Sequence, residues 1–292
     1  MVEDVRPPLM ENDSRGKNIL DRIVTARRES IARRKCVLPD VALKIAVQKN
    51  NAPRDFPGAL SDDGFNVIAE LKKASPSRGT IRAEYAPATL APSLESAGAA
   101  ALSVLTEEDF FSGSLADLQA VRAATHIPVL QKDFIIDPWQ VWEARAAGAD
   151  SFLLIVAILT DEELRELLRL GRSLQMEPLV EVHSRTEVDR AIAARSRIIG
   201  VNNRDLRNFE VRLETSLDLA EAIPADCIAV SESGLHRHED LVRLRNAGFD
   251  AFLIGEHLMK EHDPCIPFRE LIGSASADRM SHARVERPLC ER

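Results

Sequence analysis

From residue 65 onward, short apolar runs recur along the chain. They are FNVIAEL (65–71), AALSVL (100–105), IPVLQ (127–131), SFLLIV (151–156), EPLVEV (177–182), RIIGV (197–201), CIAVS (227–231) and DAFLIG (250–255). Each has the length of a strand, and the segments between them are amphipathic with helical spacing. Ala97-Gly98-Ala99, Ala147-Gly148-Ala149 and Ala247-Gly248-Phe249 repeat one signature, a helix that stops at glycine just before the next strand. The strand starts lie about 26 residues apart on average, the spacing of a βα unit with short loops. Strands apolar on both faces and alternating with helices form a parallel sheet covered by helices. Eight such units predict an α/β fold, a single-domain (β/α)8 TIM barrel. An open doubly wound sheet fits less well, because no G-x-G-x-x-G follows the first strand.

The chain ahead of the first strand reads differently. Residues 1–13 are polar and contain prolines, so they read as a mobile start. From Ser14 to Lys35, Ile19, Leu20, Ile23, Val24 and Ile31 mark an amphipathic helix with arginines on its other face. A second short helix is predicted at about 40–48 after Pro39, followed by a turn-rich linker over 50–63. The expected organisation is an N-terminal helical extension (1–64), a barrel (65–273) and a polar tail without periodicity (274–292), read as disordered. A length of 292 residues suits that single barrel plus extension.

Charge and composition narrow the function. Hydrophobic residues make up 45% and charged residues 29%, which excludes a disordered or fibrous chain. With 38 basic and 46 acidic residues the net charge is −8, so nucleic acid and anionic membrane surfaces are not expected partners. No apolar stretch approaches the roughly 20 residues of a membrane helix, and the start MVEDVRPPLM lacks a signal-peptide pattern. A cytoplasmic location is expected. Cys36, Cys227, Cys265 and Cys290 make no C-x-x-C pair, and His183, His236, His238 and His257 are scattered, so no metal site is predicted. His183 reads as a cap on the fifth strand, and Trp139 and Trp142 as packing residues of a helix. Only 8 of the 38 basic residues are lysine, and Lys72, Lys73 and Lys132 stand at strand ends. Lysine can exchange a proton after a pKa shift, which arginine effectively cannot.

In a barrel the C-terminal strand ends carry the chemistry. Here they read Glu70-Leu71-Lys72, Lys132-Asp133, Asn202-Asn203-Arg204-Asp205, Ser231-Glu232-Ser233-Gly234 and Gly255-Glu256. Alternation puts Glu70 and Lys72 on one face of the first strand. Glu181 interrupts an apolar run between Val180 and Val182. A carboxylate buried there needs a cation beside it or a raised pKa. Such groups converging on one rim suit proton transfer. The turns SESGL (231–235) and LIGEH (253–257) suit phosphate binding through backbone N–H groups, with Lys72 and the Ser75-Pro76-Ser77 turn adding contacts.

At these rims the chain resembles the indole-3-glycerol-phosphate synthase family of tryptophan biosynthesis. The resemblance rests on IAELKKASPSRG (68–79), LSVLTEEDFFSGSLADL (102–118), PVLQKDFIIDPWQVWEARAAGAD (128–150), EPLVEVHS (177–184), IIGVNNRDLRNFEV (198–211), VSESGL (230–235) and FLIGEHLM (252–259). It spans roughly residues 17–273. It implies ring closure of 1-(2-carboxyphenylamino)-1-deoxyribulose 5-phosphate to indole-3-glycerol phosphate with loss of CO₂ and water. No metal or organic cofactor is implied. By resemblance Lys132 is the acid for ring closure, Glu181 the base for dehydration and Lys72 a substrate contact and second acid. Glu70 would orient Lys72 and Lys132, with a share in the base role left open to it, and Asn202 and Glu232 would position substrate. Arg204 would hold the rim by ion pairing. Phe111 and Phe134 would wall the anthranilate ring. Ser75, Ser233, Gly234, Gly255 and Glu256 would line the phosphate site, Glu256 through its backbone N–H. The resemblance leaves a monomer or small homo-oligomer open. Three other readings also stay open: a phosphoribosylanthranilate isomerase, a Schiff-base aldolase using Lys132, and a barrel without activity.

Overall fold

A computed structural model describes residues 19–205 and 209–273. Eight parallel strands close into a barrel in chain order. They are β1 (Asn66–Leu71), β2 (Ala101–Leu105), β3 (Val129–Lys132), β4 (Ser151–Ile155), β5 (Leu179–Val182), β6 (Ile198–Asn202), β7 (Ile228–Glu232) and β8 (Ala251–Ile254), with β8 paired to β1. Pro128 and Pro178 stand just outside β3 and β5, where a missing N–H removes nothing from the ladder.

Alternation divides each strand between two cores. On β1, Val67, Ala69 and Leu71 join the layer between sheet and helices, whereas Ile68 joins Ala101, Leu130, Leu153, Leu179, Ile198, Val230 and Leu253 inside the barrel. Burial of both faces explains why the strands read as continuous apolar runs. The covering helices are α4 (Pro87–Ala97), α5 (Leu115–Ala124), α6 (Pro138–Ala147), α7 (Asp161–Ser173), α8 (Arg185–Ala193), α9 (Glu214–Leu219) and α10 (His238–Asn246). The Ala-Gly signature does stop helices: Gly98 and Gly148 cap α4 and α6 with φ of 105° and 94°, the left-handed conformation that favours glycine.

Ahead of β1 lie α1 (Ile19–Val37), α2 (Asp40–Lys49) and α3 (Phe56–Ala59). The first five residues of the predicted helix at 14–35, the mobile start at 1–13 and the tail at 274–292 fall outside the described residues. The stretch read as a linker contains α3. Phe56 and Leu60, both fully buried, belong to the barrel-interior cluster, and Asn66 Nδ2 donates to the Leu60 and Asp250 carbonyls at 2.9 and 3.0 Å. This segment closes the barrel floor. α1 reaches the opposite end, where Arg27 pairs with buried Asp133 just beyond Lys132. Trp139 on α6 docks the extension from the side. It is 1% exposed, packs with Ile31 and Leu43, and donates from Nε1 to the Leu38 carbonyl at 2.9 Å. Both tryptophans therefore pack, and Lys44 lies over the Trp142 ring.

Trp139→Ala removes a fully enclosed ring and an N–H partner for Leu38. It is expected to lower unfolding free energy by about 3–5 kcal/mol, read as a fall in the urea midpoint. An unchanged midpoint would contradict docking through Trp139.

Candidate active site

A cavity of about 320 Å³ opens at the C-terminal mouth of the barrel. Glu70, Lys72, Ser75, Phe111, Lys132, Phe134, Glu181, Asn202, Arg204, Glu232, Ser233, Gly234, Gly255 and Glu256 all line it. The inward positions of successive strands bring them together. Glu181 stands opposite Gly200 in the β5–β6 register, and Asn202 stands opposite Glu232 in the β6–β7 register.

Lys132 is the centre of charge. Its Nζ lies 3.1 Å from Glu181 Oε2 and 3.2 Å from Glu232 Oε2, with the three side chains only 14%, 2% and 0% exposed. Lys132 is the cation that buried Glu181 requires. Burial works against the ammonium, but the carboxylates of Glu232, Glu181 and Glu70 outweigh it and hold Lys132 above its ordinary pKa. The scarce lysine at this rim is therefore shifted upward, away from neutrality. Its two carboxylates share one cation and separate in character. For Glu181, burial favours the acid form, yet Lys132, His183 and a hydrogen bond with Asn202 overcome it and keep the group ionised. For Glu232, burial and the neighbouring Glu181 charge prevail over Lys132 and push it up to about 7. One lysine thus sits between an ionised carboxylate and one that holds a proton near neutrality.

Two glycines make this crowding possible. A Cβ on Gly200 would overlap Glu232 Oε1, and a Cβ on Gly255 would overlap Glu70 Oε2. Glu70 pairs with Lys72 at 2.6 Å. It acts on Lys132 only through its field, so direct orientation by Glu70 extends to Lys72 alone. Lys73 is exposed and outside the lining, because alternation turns it away where the chain enters a two-residue pairing of Ala74–Ser75 with Gly79–Thr80. Lys260 lines the mouth instead.

The turn after β7 bends sharply. Ser233 and Gly234 have φ of 67° and 77°, and a Cβ on Gly234 would press on Val211. The Glu256 carboxylate meets Lys260 at 2.7 Å, Arg204 at 3.0 Å and Arg78 at 3.2 Å. Burial opposes its charge, but the hydrogen bond from Lys260 and the fields of Lys260, Arg204 and Arg78 lower its pKa. Its repulsion toward an anion is accordingly neutralised. The Phe111 and Phe134 rings lie 6.0 Å apart, beside Leu105, Leu153, Ile155 and Leu253 in the lining. Arg78, Phe209, Val211 and Lys260 were not anticipated. The available signals were Ser77-Arg78 inside the SPSRG turn and the i,i+4 spacing of Glu256 and Lys260. Among the described residues, no group of three or more His, Cys, Asp and Glu could hold a metal ion.

Glu232 binds its proton in the native state up to about pH 7, whereas an unfolded chain releases it near 4.5. Stability therefore falls as pH rises through that window. Glu232→Gln removes this contribution, so its unfolding free energy relative to wild type should climb between about pH 4.5 and 7 and level off above. Urea titrations across pH measure it, and a difference independent of pH would contradict the raised carboxyl.

The family described as "Indole-3-glycerol phosphate synthase" matches residues 20–271. A protein of that name from Aromatoleum aromaticum is 45% identical over 260 residues, covering 88% of this chain and 99% of the relative. Another from Acidithiobacillus ferrooxidans is 47% identical over 251 residues, covering 85% and 95%. Among solved structures, 3-hexulose-6-phosphate synthase from Salmonella typhimurium superposes with a TM-score of 0.57 at 11% identity, covering 71% of this chain and 96% of its own. A mutant tryptophan synthase α-subunit from Pyrococcus furiosus gives 0.55 at 13% identity, covering 70% and 97%. These structural likenesses show the barrel fold alone.

Proposed function

Because the chain belongs to the indole-3-glycerol phosphate synthase family, we propose a division of labour among its residues for the ring closure that it catalyses. The substrate is 1-(2-carboxyphenylamino)-1-deoxyribulose 5-phosphate, and the products are indole-3-glycerol phosphate, CO₂ and water. The observation that carries the proposal is Lys132 held between Glu181 and Glu232.

The aromatic carbon bearing the carboxylate attacks the ribulose ketone. Negative charge develops on the ketone oxygen, and the Lys132 ammonium stabilises it and then donates its proton. The raised pKa supports this role in two ways. The lysine starts every cycle protonated, and an alkoxide is basic enough to take the proton. The same shift argues against a Schiff base, which needs a neutral amine. Loss of CO₂ restores the aromatic ring. Dehydration follows: Glu181, kept ionised, removes a proton, and Lys72 protonates the departing hydroxyl. Glu232, protonated near neutrality, and Asn202 bond the substrate's hydroxyls and anilino nitrogen. Phe111 and Phe134 enclose the aromatic ring. Lys72, Ser75 and the backbone of Ser233, Gly234, Gly255 and Glu256 hold the phosphate, with Arg204 bracing the rim through Glu256.

No metal or organic cofactor has a part in this scheme. No helix among the described residues is long and apolar enough to cross a membrane. Membership of this biosynthetic family is compatible with a cytoplasmic enzyme acting on a small phosphorylated substrate, proposed as a monomer or small homo-oligomer.

Purified protein given the carboxyphenylamino substrate without metal should generate indole fluorescence, and absence of signal would overturn the function. Lys132→Ala is expected to lower kcat by at least ~10² with substrate binding retained. Turnover near wild type would remove Lys132 from the chemistry. Glu181→Gln should slow dehydration more than ring closure and accumulate the ring-closed intermediate in single-turnover quench experiments. Accumulation of unreacted substrate instead would reassign the base.

A further inference from the structure

Behind Glu181, away from the substrate cavity, stands His183. It does not line the mouth; it lines a second cavity of about 510 Å³ between α1, the start of α8 and the loop after β6. Its imidazole lies between two carboxylates. Nε2 is 3.4 Å from Glu181 Oε1, an ion-pair distance, and makes no hydrogen bond, while Nδ1 is 3.3 Å from Glu187 Oε2. Glu181 therefore divides its oxygens, Oε2 toward Lys132 and Oε1 toward His183.

The local sequence fixes this arrangement. Ser184 is the N-cap of α8 and accepts from the Glu187 N–H at 3.3 Å, while Glu187 Oε2 accepts from the His183 N–H at 2.8 Å. A helix-capping exchange thus clamps Glu187, and Glu187 clamps the ring. A cap alone needs only the backbone N–H of residue 183. It does not account for a buried ring nitrogen held 3.4 Å from the carboxylate assigned as base.

We propose that His183, braced by Glu187, is a positioning residue that holds Glu181 ionised and turned toward the substrate as the dehydration base. The inference rests on Glu181 being that base. Burial disfavours the imidazolium, but the bond to Glu187 and the charges of Glu181, Glu187 and Glu232 outweigh it and raise the His183 pKa. Across the second cavity Asp21 of α1 and Asp205, Glu210 and Arg212 after β6 also border it. A cationic ring at this distance from Glu181 lowers the carboxyl pKa, and its removal lets Glu181 protonate at higher pH.

The test is the pH dependence of kcat and KM for wild type, His183→Ala, His183→Gln and Glu181→Gln. His183→Ala should move the acid limb of kcat upward by about one pH unit. Its KM should stay within about threefold of wild type, because the ring does not touch the substrate cavity. His183→Gln keeps an N–H but carries no charge, so it should show the same displaced limb. An acid limb at the wild-type position in His183→Ala, or one restored by His183→Gln, would overturn the proposal. So would a rate loss uniform across pH, the mark of a purely structural cap. Glu181→Gln separates the two claims. If that variant keeps the wild-type profile, the base assignment itself falls. If it loses turnover while His183→Ala keeps the wild-type limb, only the role of His183 falls.

Discussion

One buried ammonium between two carboxylates organises the mouth of this barrel. Taking each of these charges out of water costs several kcal/mol, so none is stable there alone. Lys132 offsets the burial of Glu181, and the two carboxylates offset the burial of Lys132. The balance is unequal, because two acids face one cation, and Glu232 takes up the mismatch by holding a proton to about pH 7. A donor, a base and a neutral acid of ordinary composition thereby obtain different protonation states within one cavity.

The barrel supplies what this cluster requires. Strand alternation aims every second residue inward, and the parallel register sets Glu181 beside Gly200 and Asn202 beside Glu232. Gly200 and Gly255 leave the volume that the Glu232 and Glu70 carboxylates occupy. The extension acts at both ends. α3 and the residue that follows it fill the floor with Phe56 and Leu60, and α1 ties Arg27 to Asp133, the residue after Lys132. Asp133 also accepts from Thr106, at the end of β2, and from the Phe134 N–H at 2.7 Å, so the turn carrying Lys132 and Phe134 is tied both to α1 and to the end of β2. At the phosphate rim the same logic recurs in weaker form, with three cations around Glu256.

Much of this was legible in the chain, for local reasons. The two periodicities and the glycine stops revealed eight βα units, because each depends on neighbours a few positions apart. Glu181 stood out because it broke an apolar run, and Glu70 and Lys72 because period-two alternation put them on one face. Less legible was anything set by approach across the barrel. Lys132 meets Glu181 and Glu232 from 49 and 100 residues away, so no local pattern told the direction of its pKa shift. Arg78 and Lys260 reach the rim through side-chain length, and Lys73 leaves it by a single step of alternation. The floor-closing helix α3 has only four residues, too short to show helical spacing. His183 is intermediate: its capping position could be read, but the carboxylate it faces could not.

The central claim is that Lys132 stays an ammonium because its carboxylate neighbours outweigh its burial. With only eight lysines in the chain, side-chain 15N NMR of lysine-labelled protein can follow each one, and loss of a signal in Lys132→Ala identifies the one of interest. The Lys132 nitrogen should keep its ammonium shift from neutrality to beyond about pH 10, where exposed lysines begin to titrate. A deprotonation step near neutral pH would contradict the charge arrangement on which the assigned chemistry rests.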